Sequence, residues 1–146
     1  MNAALLSVDE ALDRLLASAA PIAGVETVPT PLALGRVLAV SQVSAIAVPP
    51  LDNSAMDGYA VRVADLAIEG DSRLSVSQRI LAGRVGQPLA AGTAARIFTG
   101  APIPPGADAV VMQEQTTAEG DSVMIHGRVA PGSNIRRAGE DIAVGA

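Results

Sequence analysis

The sequence predicts a mainly β fold: a small β-barrel or sandwich following a single N-terminal helix. Three observations carry this reading. An apolar period of three to four residues occurs only near the N-terminus and is gone after Pro31. The rest of the chain offers many short runs rich in Val, Ile and Ala, one of them with two-residue alternation. Turn signals divide these runs at close spacing: Ala82-Gly83, Gly86-Gln87-Pro88, Pro104-Pro105-Gly106 and Pro131-Gly132.

The helix opens at Ser7, with Glu10 three residues on in a capping-box pattern. Val8, Leu12, Leu15, Leu16 and Ala19 form one apolar stripe, and Pro21 ends it. Such a stripe needs cover, from the barrel or from protein outside this chain. The stretch from Pro21 to Gly35 carries the breakers that separate helix from barrel. Arg36 to Ala47 reads as one or two strands, closed by Pro49-Pro50. Tyr59 to Val63 is a short strand, and Leu74, Val76, Gln78 and Ile80 mark a half-buried one. Ala94 to Phe98 and Ala109 to Met112 follow. Ser122 to His126 is expected to join the preceding strand through Glu119-Gly120-Asp121, with Thr116, Thr117 and Glu119 in the hairpin loop.

Composition narrows the function. The chain has 146 residues, a net charge of −5 and 49% hydrophobic residues, enough for a core but not for a basic face. A phosphate backbone needs such a face, so nucleic acid is not the expected partner. Every basic residue is Arg, which excludes a P-loop or Schiff-base lysine within the chain. With no Cys, disulfides, thiolate chemistry and Cys-ligated zinc are excluded too. Tyr59 and Phe98 are the whole aromatic complement, so the core must come from Ala, Val, Leu and Ile. No signal peptide or membrane-spanning run is legible: Val37 to Leu51 is uncharged but holds Ser, Gln and two Pro. A soluble cytoplasmic protein is expected.

Three segments spend polar residues where packing does not ask for them. Pro49 to Arg62 (PPLDNSAMDGYAVR) has a stiffened start, turn-forming Asp52, Asn53 and Ser54, and a carboxylate, Asp57, at a tight Asp-Gly turn before a strand. The simplest reading of that turn is an Asx-turn. Gly92 to Met112 runs a strand into Thr99-Gly100 and a Pro-stiffened loop, where Gly100 permits close backbone approach. Gly132 to Asp141 places Arg136 and Arg137 beside Glu140 and Asp141. That is either a solvated ion-pair cluster or a loop whose acids meet a hard cation and whose Arg meets an anion. His126 is the sole histidine and reads as structural or exposed, since no nucleophile can be placed beside it.

In order along the chain, these segments resemble the signatures of the molybdopterin molybdenumtransferase family, to which gephyrin's enzymatic C-terminal region belongs. Pro49 to Arg62 is similar to P-P-x-D-N-S-A-M-D-G-Y-A-V-R, and Arg96 to Val111 to I-x-T-G-A-P-x-P-x-G-A-D-A-V-V, with Glu114 also fitting. Gly132 to Asp141 resembles G-x-N-x-R-x-x-G-x-D. Leu51 departs from the aromatic often found there. The resemblance implies residues 1–43 as the N-terminal helix and first strand of a linker domain, and residues 44–146 as the β-barrel domain. The family's α/β and C-terminal domains would lie outside the chain. It also implies an elongated homodimer whose cleft lies between the barrel of one subunit and the α/β domain of the other. The reaction transfers molybdenum from molybdate to adenylylated molybdopterin and releases AMP, with a divalent cation such as Mg2+. By resemblance Asp57, Thr99 and Asp141 are catalytic, with Asp57 and Asp141 near the cation. Asn53, Ser54, Gly100 and Arg136 would serve the substrate, Asn53 and Ser54 by ordering the Asp57 loop. Arg136 would either pair with a phosphate or brace Glu140. The chain alone is expected to be inactive.

Two other readings remain at this point. The barrel is a non-catalytic interaction or dimerisation module, which complementation by a separate α/β domain would argue against. Or it is a stand-alone oxyanion-binding barrel. Titration with molybdate tests that, and tight binding is not expected without a dense cluster of positive donors.

Overall fold

The computed structural model describes residues 5–146. The chain divides into two compact units, Met1–Ser41 and Gln42–Ala146.

In the first unit, α1 (Val8–Ser18) starts with the expected capping box: Ser7 accepts from the Glu10 backbone N–H while the Glu10 carboxylate accepts from the Ser7 N–H. No residue of α1 is buried. A 3-10 turn, Thr30–Leu32, follows.

The second unit is mainly β. Its strands are β1 (Asn53–Ser54), β2 (Gly58–Val61), β3 (Ser72–Ile80), β4 (Thr93–Ile97), β5 (Ala109–Met112), β6 (Thr116–Glu119), β7 (Ser122–Ile125) and β8 (Ile135–Arg136). Six form one sheet in the order β5-β2-β4-β3-β7-β6, and β1 pairs with β8 in a separate ribbon. The sheet curls into a half-barrel rather than a hydrogen-bonded closed barrel, with β5 and β6 as its edges. Neighbours pair antiparallel except β3 and β4, which are parallel, with a register shift between Val76 and Gln78. Parallel strands need a crossover of about a dozen residues, and residues 81–92 supply it.

Both faces of the sheet are covered, as the alternation of side chains shows. Tyr59, Val61, Val111, Val123 and Ile125 belong to one cluster, and Ala60, Ile97, Val110, Leu89 and Ile80 to the other. This is why β2 is buried at every position. Each fully buried Ile or Val contributes about 1.5–3 kcal/mol. Aliphatic side chains therefore carry the core, with Tyr59 the sole aromatic in it.

Two expectations fail. Arg36 to Ala47 forms no strand, and Val37, Leu38, Val40, Val43 and Ile46 stay exposed. β-propensity is realised only where a neighbouring strand supplies packing, and the sole bridge here is Val48 with Ile142. Thr116, Thr117 and Glu119 are not loop but β6, which pairs along its length with β7. The Gly120-Asp121 turn therefore closes a β6–β7 hairpin and does not link Ala109–Met112 to Ser122. Thr side chains fit an edge strand as readily as a loop, and nothing local distinguishes the two.

Candidate active-site surface

The first polar segment lies between the other two. On one side β1 pairs with β8, Asn53 opposite Arg136 and Ser54 opposite Ile135. The same contact extends through Ala55 N–H to Asn134 O (2.9 Å), Gly139 N–H to Pro49 O (2.9 Å) and Asp141 N–H to Val48 O (2.9 Å). Asp52 completes it, accepting from Arg137 Nη1 (2.5 Å) and from the Ala138 N–H (2.8 Å). On the other side Ser54 N–H donates to Ala101 O (2.9 Å), Gly100 N–H to Ser54 O (2.8 Å) and Ile103 N–H to Asp52 O (2.9 Å). Stretches about 85 residues apart in the chain are thereby fixed as one surface.

Asp57 is not in an Asx-turn. Its Oδ1 accepts from the Thr99 N–H (2.8 Å) and the Thr99 hydroxyl (2.7 Å), 42 residues away. These bonds, backbone first, hold its carboxyl below the usual carboxylate range, with the Arg96 guanidinium adding to the effect. Its Oδ2 has no partner among the described residues. The following Gly58 is a packing requirement: a Cβ there would stand 1.9 Å from Val111 O. Gly100, at φ +79, meets only Ala82 Cβ, at 4.0 Å, so it supplies a left-handed backbone and open space.

Ser54 is fully buried, and its hydroxyl donates to Met56 O (2.6 Å) and accepts from Met56 N–H (3.3 Å), bending the chain toward Asp57. Asn53 lends backbone to β1 and bridges Pro102. Arg136 donates to Glu140 (3.3 Å) and to Asp141 Oδ1 (2.5 Å), so it braces both acids. Asp57 is held by Thr99 and Asp141 by Arg136, and among the described residues no three His, Cys, Asp or Glu gather to hold a metal.

Several residues that build this surface are not evident from spacing. Asp52 ties the first segment to the third, and its carboxyl is held low first by the Ala138 N–H and then by Arg137. Asn134, at φ 53, donates to Val110 O (2.8 Å) and sets β8 against the sheet. Arg96 reaches across β2 to Gly58 O (2.9 Å) and to Gln113 Oε1 (2.8 Å). An Asn two residues after Gly132 was a usable signal for Asn134, since Asn tolerates left-handed backbone; for the other two there was none. His126 also has more company than expected. Its Nδ1 meets Asp71 Oδ2 at 2.8 Å and its Nε2 meets the Thr117 hydroxyl at 2.9 Å. The partners come from the turn before β3 and from β6.

Residues 6–146 match the family described as the MoeA N-terminal region (domain I and II). The chain belongs to this family. It is 46% identical over 126 residues to molybdopterin molybdenumtransferase 2 of Mycobacterium tuberculosis, covering 82% of this chain and 30% of that protein. It is 41% identical over 143 residues to the molybdopterin molybdenumtransferase of Haemophilus influenzae, covering 97% of this chain and 35% of that one. Its fold is similar to that of the molybdopterin biosynthesis moeA protein from Pyrococcus horikoshii OT3, with TM-score 0.79 and 41% identity over 83% of this chain and 33% of the other. The chain thus spans about a third of the length of these relatives. Among the described residues no helix is long and apolar enough to cross a membrane.

Proposed function

We propose that this chain supplies the barrel side of the cleft of a molybdopterin molybdenumtransferase. That enzyme moves molybdenum from molybdate to adenylylated molybdopterin, releases AMP and works as a cytoplasmic homodimer when full-length. The observation that carries the reading is the Asp57–Thr99 pair. A carboxylate held ionised by two donors on one oxygen leaves its other oxygen free, on a backbone fixed from both sides. Rigid placement of that kind is what orientation of a reacting group requires. Gly100 leaves room for a ligand beside Thr99, and Arg136 holds Asp141 by one carboxylate oxygen.

Mg2+ retains several waters and takes one or two carboxylates together with substrate oxygens, so a single free carboxylate oxygen on this surface would be a fitting donor. Asp57 Oδ2 and Asp141 Oδ2 are the oxygens that would meet it. When bound, the cation would offset negative charge between these acids and anionic substrates. The role of Asp57 is to hold and orient, and Thr99 fixes the carboxylate's direction for that purpose.

Asp57→Ala in the full-length protein is the test, with molybdenum insertion read in vitro and folding read by circular dichroism. Loss of at least about a hundredfold in transfer with an unchanged fold is expected. Normal transfer would sink the assignment. The 146-residue chain alone, run beside it, is expected to show no turnover.

A further inference from the structure

Arg79 and Arg96 face each other in register on the parallel strands β3 and β4. Like charges directly opposite destabilise a sheet. Yet neither guanidinium has a carboxylate partner within ion-pair distance among the described residues. Both instead lie 4.6 Å from the centroid of the Phe98 ring, so their central carbons are no further apart than twice that distance. Arg96 also lies 5.2 Å from the Tyr59 ring centroid and spends one N–H on Gly58 O and one on Gln113. The Arg79 side chain makes no hydrogen bond among the described residues, while its backbone belongs to the sheet. The two line a concavity of about 380 Å³ with Tyr59, Ser77, Ser122 and one acid, Asp121, which leaves the lining net positive. In a chain of net charge −5 this is a local reversal of sign.

We propose that Arg79 and Arg96 receive a tetrahedral oxyanion, free or as the phosphate of a larger ligand, in this concavity. Phe98 lies against both guanidiniums and limits how far apart they stand. Oxyanion oxygens accept N–H bonds of about 2.8 Å from two forks at once, which relieves the repulsion the sheet otherwise carries. The site is argued from its own groups and does not rest on the transferase reading.

The test is an NMR titration of the 146-residue chain with inorganic phosphate at constant ionic strength made up with chloride. Saturable shifts at Arg79, Arg96, Phe98 and Ser122 are expected. Arg79→Ala, which breaks no internal hydrogen bond, should weaken the affinity at least about tenfold. Arg84→Ala, a surface change in the crossover, should leave it unaltered. Parallel titrations with molybdate and AMP identify the source: equal binding of molybdate and phosphate supports a free-oxyanion site, tighter AMP binding a phosphate-ester site. Shifts that do not saturate, that chloride alone reproduces, or that survive Arg79→Ala would overturn the proposal. Because the readout is binding by this chain, failure of the transfer experiment would leave it standing.

Discussion

Asp57 and Thr99 form a pair in which one carboxylate oxygen takes two donors from a single residue. The acid is thereby stabilised in its charged form without a salt bridge. Thr99→Val removes the hydroxyl donor and leaves the backbone donor, so the Asp57 carboxyl should titrate at higher pH, nearer the ordinary value. Carbon-detected NMR of the Asp57 carboxyl through an acid titration measures this; an unchanged midpoint would mean that the hydroxyl contributes nothing. The sign for stability follows from the same pair. A carboxyl held low in the folded state contributes fully above its unfolded pKa, and that contribution goes as pH falls through the folded value. The mutant should therefore lose stability at a higher pH than the parent. Asp57 and Thr99 were both legible from their positions in the two matching segments. Their bond to each other was not, because residues 42 apart meet only through a fold whose topology sequence periodicity does not encode.

Strand β2 is the element that aims Asp57, and it can do so only because Gly58 admits β5. Gly58 pairs with Ile97 on one side and Met112 on the other, and the missing side chain leaves room for Val111 O. Gly58→Ala should destabilise the half-barrel by about 3 kcal/mol, since the clash is with backbone and neither neighbouring strand can withdraw alone. Gly120→Ala, at φ +58 with nothing within 4 Å of the added carbon, should cost only about 1 kcal/mol. Urea midpoints of the two variants decide between these, and equal losses would refute the packing account. At this scale the sequence was readable where side chains alternate or where two faces are covered. Leu74 to Ile80 and Ala109 to Met112 are both strands. It misled where pairing decides: the Val-rich stretch 36–47 stays irregular, and Thr116–Glu119 becomes a strand because β7 is beside it.

Among the acids of the 42–146 unit tied to partners far away in the chain are Asp52, held by Arg137 and Ala138, Asp57, held by Thr99, and Asp71, held by His126 and Gly127. In each the carboxyl is held below its ordinary range, for Asp71 mainly by the His126 side chain. Each tie closes a long loop; those of Asp57 and Asp71 continue the sheet pairings of Gly58 with Ile97 and Ser72 with Ile125, and that of Asp52 joins segments outside the curled sheet. All three act with the same sign. Their contribution is complete above the ordinary carboxylate pKa of the unfolded chain and is lost together as pH falls through the lowered values. The unit should therefore lose stability as pH falls below the ordinary carboxylate range, more steeply than any one acid would produce. Asp52→Asn separates the largest of these closures from the rest. It keeps the size of the side chain but gives up the charge-assisted bonds to Arg137 and Ala138. These are partly solvent-exposed, so about 1 kcal/mol or less should go at neutral pH. Because that loss is already complete at neutral pH, the variant's stability should fall less between pH 6 and pH 3 than the parent's. Thermal unfolding across that range, read by circular dichroism, measures both quantities. Parallel curves for parent and variant would show that Asp52 is not one of the groups through which acid loosens the fold.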